Sequence, residues 1–250
     1  MAWVTKNSEE TYAPAPPPRE YTKQEKAANW WHYHKVGVLV VIVLVVLLSW
    51  VLHDTLFRTR PDVEIGYVGA INLPEETVAA LEQALVPYCT DLNGDGQVLV
   101  ELRQFTVDFD ADTDTTDPYS QMAGITQLNA ELAVDSNFYL FLLQDPAGFE
   151  AQCGVLAYLD GTLPPTDGTA DWTRTVYRWT DCPTLTGLDL GSYQALGGST
   201  EEGNDSQQLL GTLYLGRRGV WSEEIPAAYT DTAPLWEALT AGAVSTAGEG

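Results

Sequence analysis

Between Val36 and Leu52 the chain runs 17 residues, VGVLVVIVLVVLLSWVL, with no charge and a single hydroxyl at Ser49. No other feature limits the fold as strongly. At ~1.5 Å per residue the run spans ~25 Å as a helix, and continuation through His53 to Phe57 brings it to the ~30 Å of a bilayer's hydrocarbon core. A helix buried in a soluble core would carry polar residues on one stripe, and this one is apolar all round. The expectation is a transmembrane helix over 36–57. A cleaved signal sequence fits less well, because the run exceeds the ~7 to 15 residues of a signal core and no small-x-small site follows Leu52.

The flanks agree with a span. Trp30, Trp31 and Tyr33 precede it, and Trp50 and Phe57 lie near its end, where interfacial aromatics belong. Arg19, Lys23, Lys26 and Lys35 precede it against Arg58 and Arg60 after it, which predicts a cytoplasmic N-terminus. Residues 1–35 then form a cytoplasmic tail. Its YAPAPPPR stretch, Tyr12 to Arg19, is polyproline-like or disordered and open to a proline-binding partner or simply solvated. Tyr21 to Tyr33 is rich in helix formers and extends the spanning helix. Residues 62–242 are expected to form an extracytoplasmic acidic domain, and 243–250 a flexible C-terminus.

Charge is divided unevenly along the chain. Of 12 Lys and Arg and 35 Asp and Glu, only five basic residues but 30 acids lie beyond Arg60. Nucleic acid is excluded as a partner, because binding it requires Lys and Arg to neutralise phosphates. The domain's field draws cations and repels anionic polymers.

The domain opens with the apolar run VEIGYVGAI, followed by a helical stretch from Leu73 to Val86 with Pro74 in its first turn and Glu75 and Glu76 at the positive end of the dipole. A polar turn, DLNGDG, leads to QVLVELRQFTV, which alternates in character. A second helix is predicted from Asp117 or Pro118 to Ala133, with Met122, Ile125, Leu128 and Leu132 on one face, and NFYLFLLQ reads as a buried strand. This βαβαβ order predicts a mainly parallel, three-layer α/β domain with an irregular C-terminal part. In that part CGVLAYLDG and LLGTLYLGRRGV read as strands and PLWEALTAG as a closing helix. Ligand sites in such sheets lie at strand carboxyl ends, here the Gly66 to Asn72 turn, the Asp108 to Asp117 loop and Gln144 to Phe149.

The order VEIGYVGAINLPEETVAALEQALVPY, VLVELRQFTV and SQMAGITQLNAELAVDSNFYLFLL resembles the first lobe of type 2 extracellular solute-binding proteins, over about Asp62 to Gln144. With the HYHK segment entering the span and the joint RTRPDVEIGYVG, the layout also resembles uncharacterised single-pass membrane-anchored proteins of Gram-positive bacteria. The resemblance implies a binding module on the outer face of a cell membrane. Only 190 residues follow Arg60, so the second lobe of a solute-binding clamshell is missing or vestigial. No motif carries the family's ligand residues onto this chain.

Among chemical groups, Asp91, Asn93, Asp95 and Gln97 place oxygens at alternate positions of DLNGDGQ, as in the front half of a calcium loop, while position twelve is Leu102 rather than Glu. The same residues suit an Asx and glycine turn joining helix to strand, so calcium and a plain turn both stand as readings. Asp108, Asp110, Asp112, Asp114 and Asp117 make a second acidic run, read as a solvated loop or a cation cluster. In an oxidising compartment Cys153 and Cys182 could be bridged, with Cys89 buried at a helix end. All three histidines, His32, His34 and His53, flank the span, so histidine-dependent triads and zinc sites are not available to the domain. GxSxG, HExxH and phosphate-cradling glycine loops are also absent from the sequence.

The functional expectation is a non-enzymatic, membrane-anchored binding or interaction module that meets the lipid bilayer and an envelope protein or small-molecule ligand. A pocket lined by Trp172, Trp179 or Trp221 would favour ligand binding. Two carboxyl groups facing each other in a cleft would favour an envelope hydrolase, and an unbroken acidic surface a structural scaffold.

Overall fold

The computed structural model describes residues 19–57, 60–109, 118–133, 138–165, 169–194 and 204–248, with the side chains of 53–57 excepted. The chain divides into two compact units, Met1–Thr59 and Arg60–Gly250.

In the first unit a single helix, α1, runs from Lys23 to Phe57. It starts at a reciprocal capping box: Thr22 Oγ1 accepts the Glu25 amide at 3.3 Å, and Glu25 Oε2 accepts the Thr22 amide at 2.9 Å. Arg19 adds an ion pair to Glu25 at 2.7 Å. One turn before the apolar run, the Trp30 and His34 rings stack with centroids 5.0 Å apart, and His34 Nδ1 lies 2.9 Å from the Trp30 carbonyl oxygen. The helix is long and apolar enough to cross a membrane. Its side chains from Leu39 to Leu48 are all at least half exposed.

In the second unit, β1 (Val63–Gly69), α2 (Glu75–Leu85), β2 (Val100–Thr106), α3 (Pro118–Ala133) and β3 (Phe138–Leu143) follow in the expected order. Helical crossovers between the strands require parallel pairing, and β1 pairs in parallel with both β2 and β3. Then come α4 (Pro146–Cys153), β4 (Val176–Arg178), α5 (Pro183–Thr186), the small ribbon of β5 (Ser192–Tyr193) and β6 (Asn204–Asp205), α6 (Ser206–Leu210), β7 (Tyr214–Arg217), α7 (Ala227–Asp231) and α8 (Ala233–Leu239). The main sheet has the order β2-β1-β3-β7-β4, with β7 antiparallel to both of its neighbours.

Side chains alternate across the sheet and divide the core in two. Ile65, Tyr67, Leu140, Leu142 and Leu215 join one cluster with Leu81 and Leu85 of α2, Leu210 of α6 and Leu235 and Leu239 of α8. Val68, Phe105, Phe141 and Leu143 join the other with Leu128 of α3 and Phe149 of α4. Every residue of β3 is buried, which is why that strand has no polar alternation to read.

Several expectations change. Met122 is exposed, and α3 instead turns Gly124, Ile125, Leu128 and Leu132 inward. Gly124 decides this, because a Cβ there would collide with the Thr106 carbonyl of β2. CGVLAYLDG is not a strand: its first residue ends α4, and only Leu156 bridges to Arg218. The α4 helix had a legible signal in Asp145–Pro146, since the Asp145 carboxylate caps the Gly148 amide at 3.0 Å and Pro146 takes the first helical position. The segment from 243, expected to be flexible, is docked through residue 248. Thr246 bonds Asp181 through its amide at 2.8 Å and its hydroxyl at 2.7 Å, and Ala247 is buried.

The cysteines are unpaired. Cys182 and Cys89 belong to the first core cluster and Cys153 to the second, so the sheet separates Cys153 from Cys182 and no bridge joins them. Burial raises the thiols, Cys89 and Cys153 to about 11 and Cys182 to about 12.

Candidate functional site

From β1 the chain crosses through α2 to β2 on one side, while β3 lies on the other side of β1. The connections leaving β1 and β3 therefore diverge at the carboxyl edge of the sheet, where open α/β sheets leave a crevice. A cavity of about 560 Å³ occupies that place, within the ~300–1,000 Å³ range of small-molecule sites.

One wall is the segment after β1. Tyr67 donates its hydroxyl to the Ile71 carbonyl at 2.8 Å, and Gln104 Oε1 accepts the Leu73 amide at 2.6 Å. The Thr106 hydroxyl donates to Asn72 Oδ1 at 2.7 Å. Gln144, just past β3, accepts the Ala70 amide through Oε1 at 2.9 Å while its own amide donates to Val68 O at 3.0 Å. Gly69 allows this closeness, because a Cβ there would meet the Tyr67 hydroxyl and Gln144 Oε1. Burial lifts the Tyr67 phenol to about 12, so it stays neutral. The wall closes on Pro74, which caps α2, with Glu75 and Glu76 in the first helical turn.

The second wall is Tyr193 and Gln194 with Leu209, Thr212 and Leu213. A buried Thr77–Ser206 hydroxyl pair at 3.0 Å ties α6 to α2. Gln207 accepts Trp179 Nε1 at 2.9 Å and donates to the Leu185 and Leu188 carbonyls at 2.9 and 2.8 Å. Both walls are thus held by hydrogen bonds that cross between elements.

The floor is apolar, with Tyr67, Leu73 and Leu213 buried and Leu209 half-buried, and the rim is mostly polar, with Asn72, Glu75, Glu76, Gln144, Gln194 and Thr212 exposed beside the exposed Ile71. Among the described residues, two carboxylates line the cavity, and no Lys, Arg, His, Cys or Ser does. The domain's arginines lie elsewhere. Four sit over aromatic rings: Arg103 over Phe138, Arg174 over Tyr158, Arg217 over Tyr229 and Arg218 over Tyr139. The fifth, Arg178, is on β4.

Of the strand ends predicted to hold a site, Gly66 to Asn72 and Gln144 meet in this crevice. Asp108 is instead tied to α3, its amide donating to Gln121 Oε1 at 2.8 Å and its carbonyl accepting Gln121 Nε2 at 2.6 Å. Asp110, Asp112, Asp114 and Asp117 lie outside the described residues. None of the three tryptophans lines the crevice: Trp179 is in the core, Trp172 packs edge-on to Tyr214, and Trp221 is exposed. The second wall was missed because Leu209 to Leu213 read as the start of the strand in LLGTLYLGRRGV, whereas Leu209 and Leu210 end α6 and the strand begins only at Tyr214.

Asp91, Asn93, Asp95 and Gln97 share one loop at the amino edge of β1 and β2. Asp91 accepts the Gly94 and Gly96 amides at 2.7 and 2.9 Å, Asn93 Oδ1 the Asp95 amide at 2.8 Å, and Asp95 the Gln97 amide at 2.9 Å. Asp62 anchors the loop from outside by accepting the Leu92, Asn93 and Leu99 amides at 2.8 to 3.1 Å. Burial pulls its carboxyl up, but the Leu99, Leu92 and Asn93 amides hold it below the usual carboxylate value. Among the described residues, no three His, Cys, Asp or Glu side chains gather as a metal would require.

Comparison with protein-family models, with curated proteins and with solved structures finds no match to this chain.

Proposed function

We propose that this protein is a single-pass membrane-anchored binding module, with its N-terminus cytoplasmic and a three-layer α/β domain outside the membrane that takes up a small molecule without transforming it. The observation that carries the reading is the crevice between the carboxyl ends of β1 and β3, which has an apolar floor, a polar rim and two hydrogen-bonded walls. Among the described residues, its lining offers no amine, imidazole or thiol for covalent or acid–base chemistry, and the buried Tyr67 phenol is occupied with the Ile71 carbonyl. The resemblance to the first lobe of solute-binding proteins supports the same role. The second wall here comes from Tyr193, Gln194, Leu209, Thr212 and Leu213 of the same domain, so capture needs no closing lobe. The all-round exposure of the apolar run in α1 supports the anchor, and the excess of basic residues before it supports the orientation.

Two measurements test these statements. In amide spectra of the full chain in micelles, a fragment mixture is expected to shift Tyr67, Ala70, Gln144 and Leu213 together, and a Thr212→Trp variant, which plugs the rim, to lose those shifts. Shifts scattered over the surface, or unchanged in the variant, would remove the crevice as a ligand site. Protease added outside intact cells is expected to degrade the domain and leave α1 with its tail; full protection of the domain would reverse the orientation.

A further inference from the structure

From the crevice's chemistry, and resting on the reading of it as a ligand site, we infer that its ligand is an organic cation: an ammonium group on an apolar body. The floor of Tyr67, Leu73 and Leu213 demands apolar surface from whatever fills it. Among the described residues, the charged groups on the rim are the carboxylates of Glu75 and Glu76. They stand in the first turn of α2, whose end carries a partial positive charge of about half a unit, so two full negative charges outweigh it. The nearest alternative sources of positive charge are withdrawn, since four of the five arginines of the domain are stacked on rings outside the crevice. Beyond Arg60 the 30 acids against five basic residues give a field that concentrates cations at the domain's surface and repels carboxylates and phosphates. The floor and Tyr193 supply contact for the body. An anion would lose its hydration with no opposite charge to meet it.

The test is calorimetric titration of the full chain in a non-ionic detergent with three molecules of nearly one shape: 4-phenylbutylamine, 4-phenylbutanol and 4-phenylbutanoate. The amine is expected to bind about tenfold or more tightly than the alcohol, and the carboxylate not measurably, because each partner carboxylate favours the ammonium alone. In Glu75→Gln/Glu76→Gln, two exposed positions where the fold is retained, the amine is expected to fall to the affinity of the alcohol while the alcohol is unchanged. Equal binding of amine and alcohol by the natural chain, or preferred binding of the carboxylate, overturns the charge inference and leaves the crevice as a ligand site. Absence of binding by all three, or binding that Thr212→Trp does not weaken, overturns both.

Discussion

Burial acts against the charge of Glu150, a buried carboxylate on α4 whose Oε2 accepts the Leu156 amide at 3.2 Å. Burial raises its carboxyl above the ordinary carboxylate value, and the Leu156 and Val155 amides offset only part of that rise. The folded state therefore holds this proton more tightly than the unfolded chain. The group's contribution to stability is fullest below its unfolded pKa and declines as pH rises through the folded one. Glu150→Gln, which keeps an acceptor oxygen, should be at least as stable as the natural protein at pH 7 and should lack its gain on acidification toward pH 5. Glu150→Ala should lose about 1–2 kcal/mol, because two amides lose their acceptor. Urea unfolding across pH measures both, and a Gln variant clearly weaker at pH 7 would mean that the charge itself stabilises. At the DLNGDG loop, Asp91→Ala removes the acceptor of two amides and should cost about 1 kcal/mol. A purely structural turn shows that loss equally in EDTA and in millimolar calcium. A melting midpoint that calcium raises in the natural chain and not in the variant would make Asp91, Asn93, Asp95 and Gln97 a cation site.

Among the elements, the face of β2 toward α3 is organised around one cation. Arg103 reaches Glu131 at 2.6 Å, Glu64 at 3.8 Å and Glu101 at 4.0 Å, and lies over the Phe138 ring. Burial raises the Glu64 carboxyl, Arg103 lowers it, and Glu101 and Glu131 raise it again. Arg103→Met keeps the packing stem and leaves three acids facing one another. The loss should be about 1 kcal/mol at pH 7, modest because these groups are partly exposed and screened. It should shrink on acidification as the Glu64 carboxyl, raised by burial, protonates, and a pH-independent loss in denaturant titrations would assign the effect to packing instead. Helix α3 also shows where periodicity misleads: Met122 and Ile125 share a helical face on paper, but Gly124 sets the close approach to β2 and turns Met122 to solvent.

For the whole molecule, the long apolar helix and the domain follow different rules. The side chains of α1 from Leu39 to Leu48 are at least half exposed, and the proposed anchor rests on their burial in lipid. Val43→Lys with Leu47→Lys places two ammonium groups near the middle of the run, at ~2.5–3.5 kcal/mol each on insertion scales. The variant is expected to leave the membrane fraction under alkaline carbonate while the natural chain stays, and retention of both would sink the spanning reading. The domain's own site depends on segments far apart in sequence, with Tyr67, Gln144 and Leu213 meeting at one sheet edge.

The helix long enough to span a membrane, the parallel β1, β2 and β3, and the strand ends that open on the crevice were all legible in the sequence. Each depends on local patterns: an uninterrupted apolar run, strand and helix periods in alternation, and the parallel pairing that helical crossovers impose. A strand at β7 was legible in LLGTLYLGRRGV, but its antiparallel place between β3 and β4, the short β4, the docked 243–248 segment and the second wall of the crevice were decided only in the tertiary structure. What holds these segments is long-range: Trp179 to Gln207, Thr77 to Ser206 and Asp181 to Thr246. The separation of Cys153 from Cys182 has the same origin, since sequence distance cannot say on which face of a sheet a side chain lies, and the packing of two core clusters does.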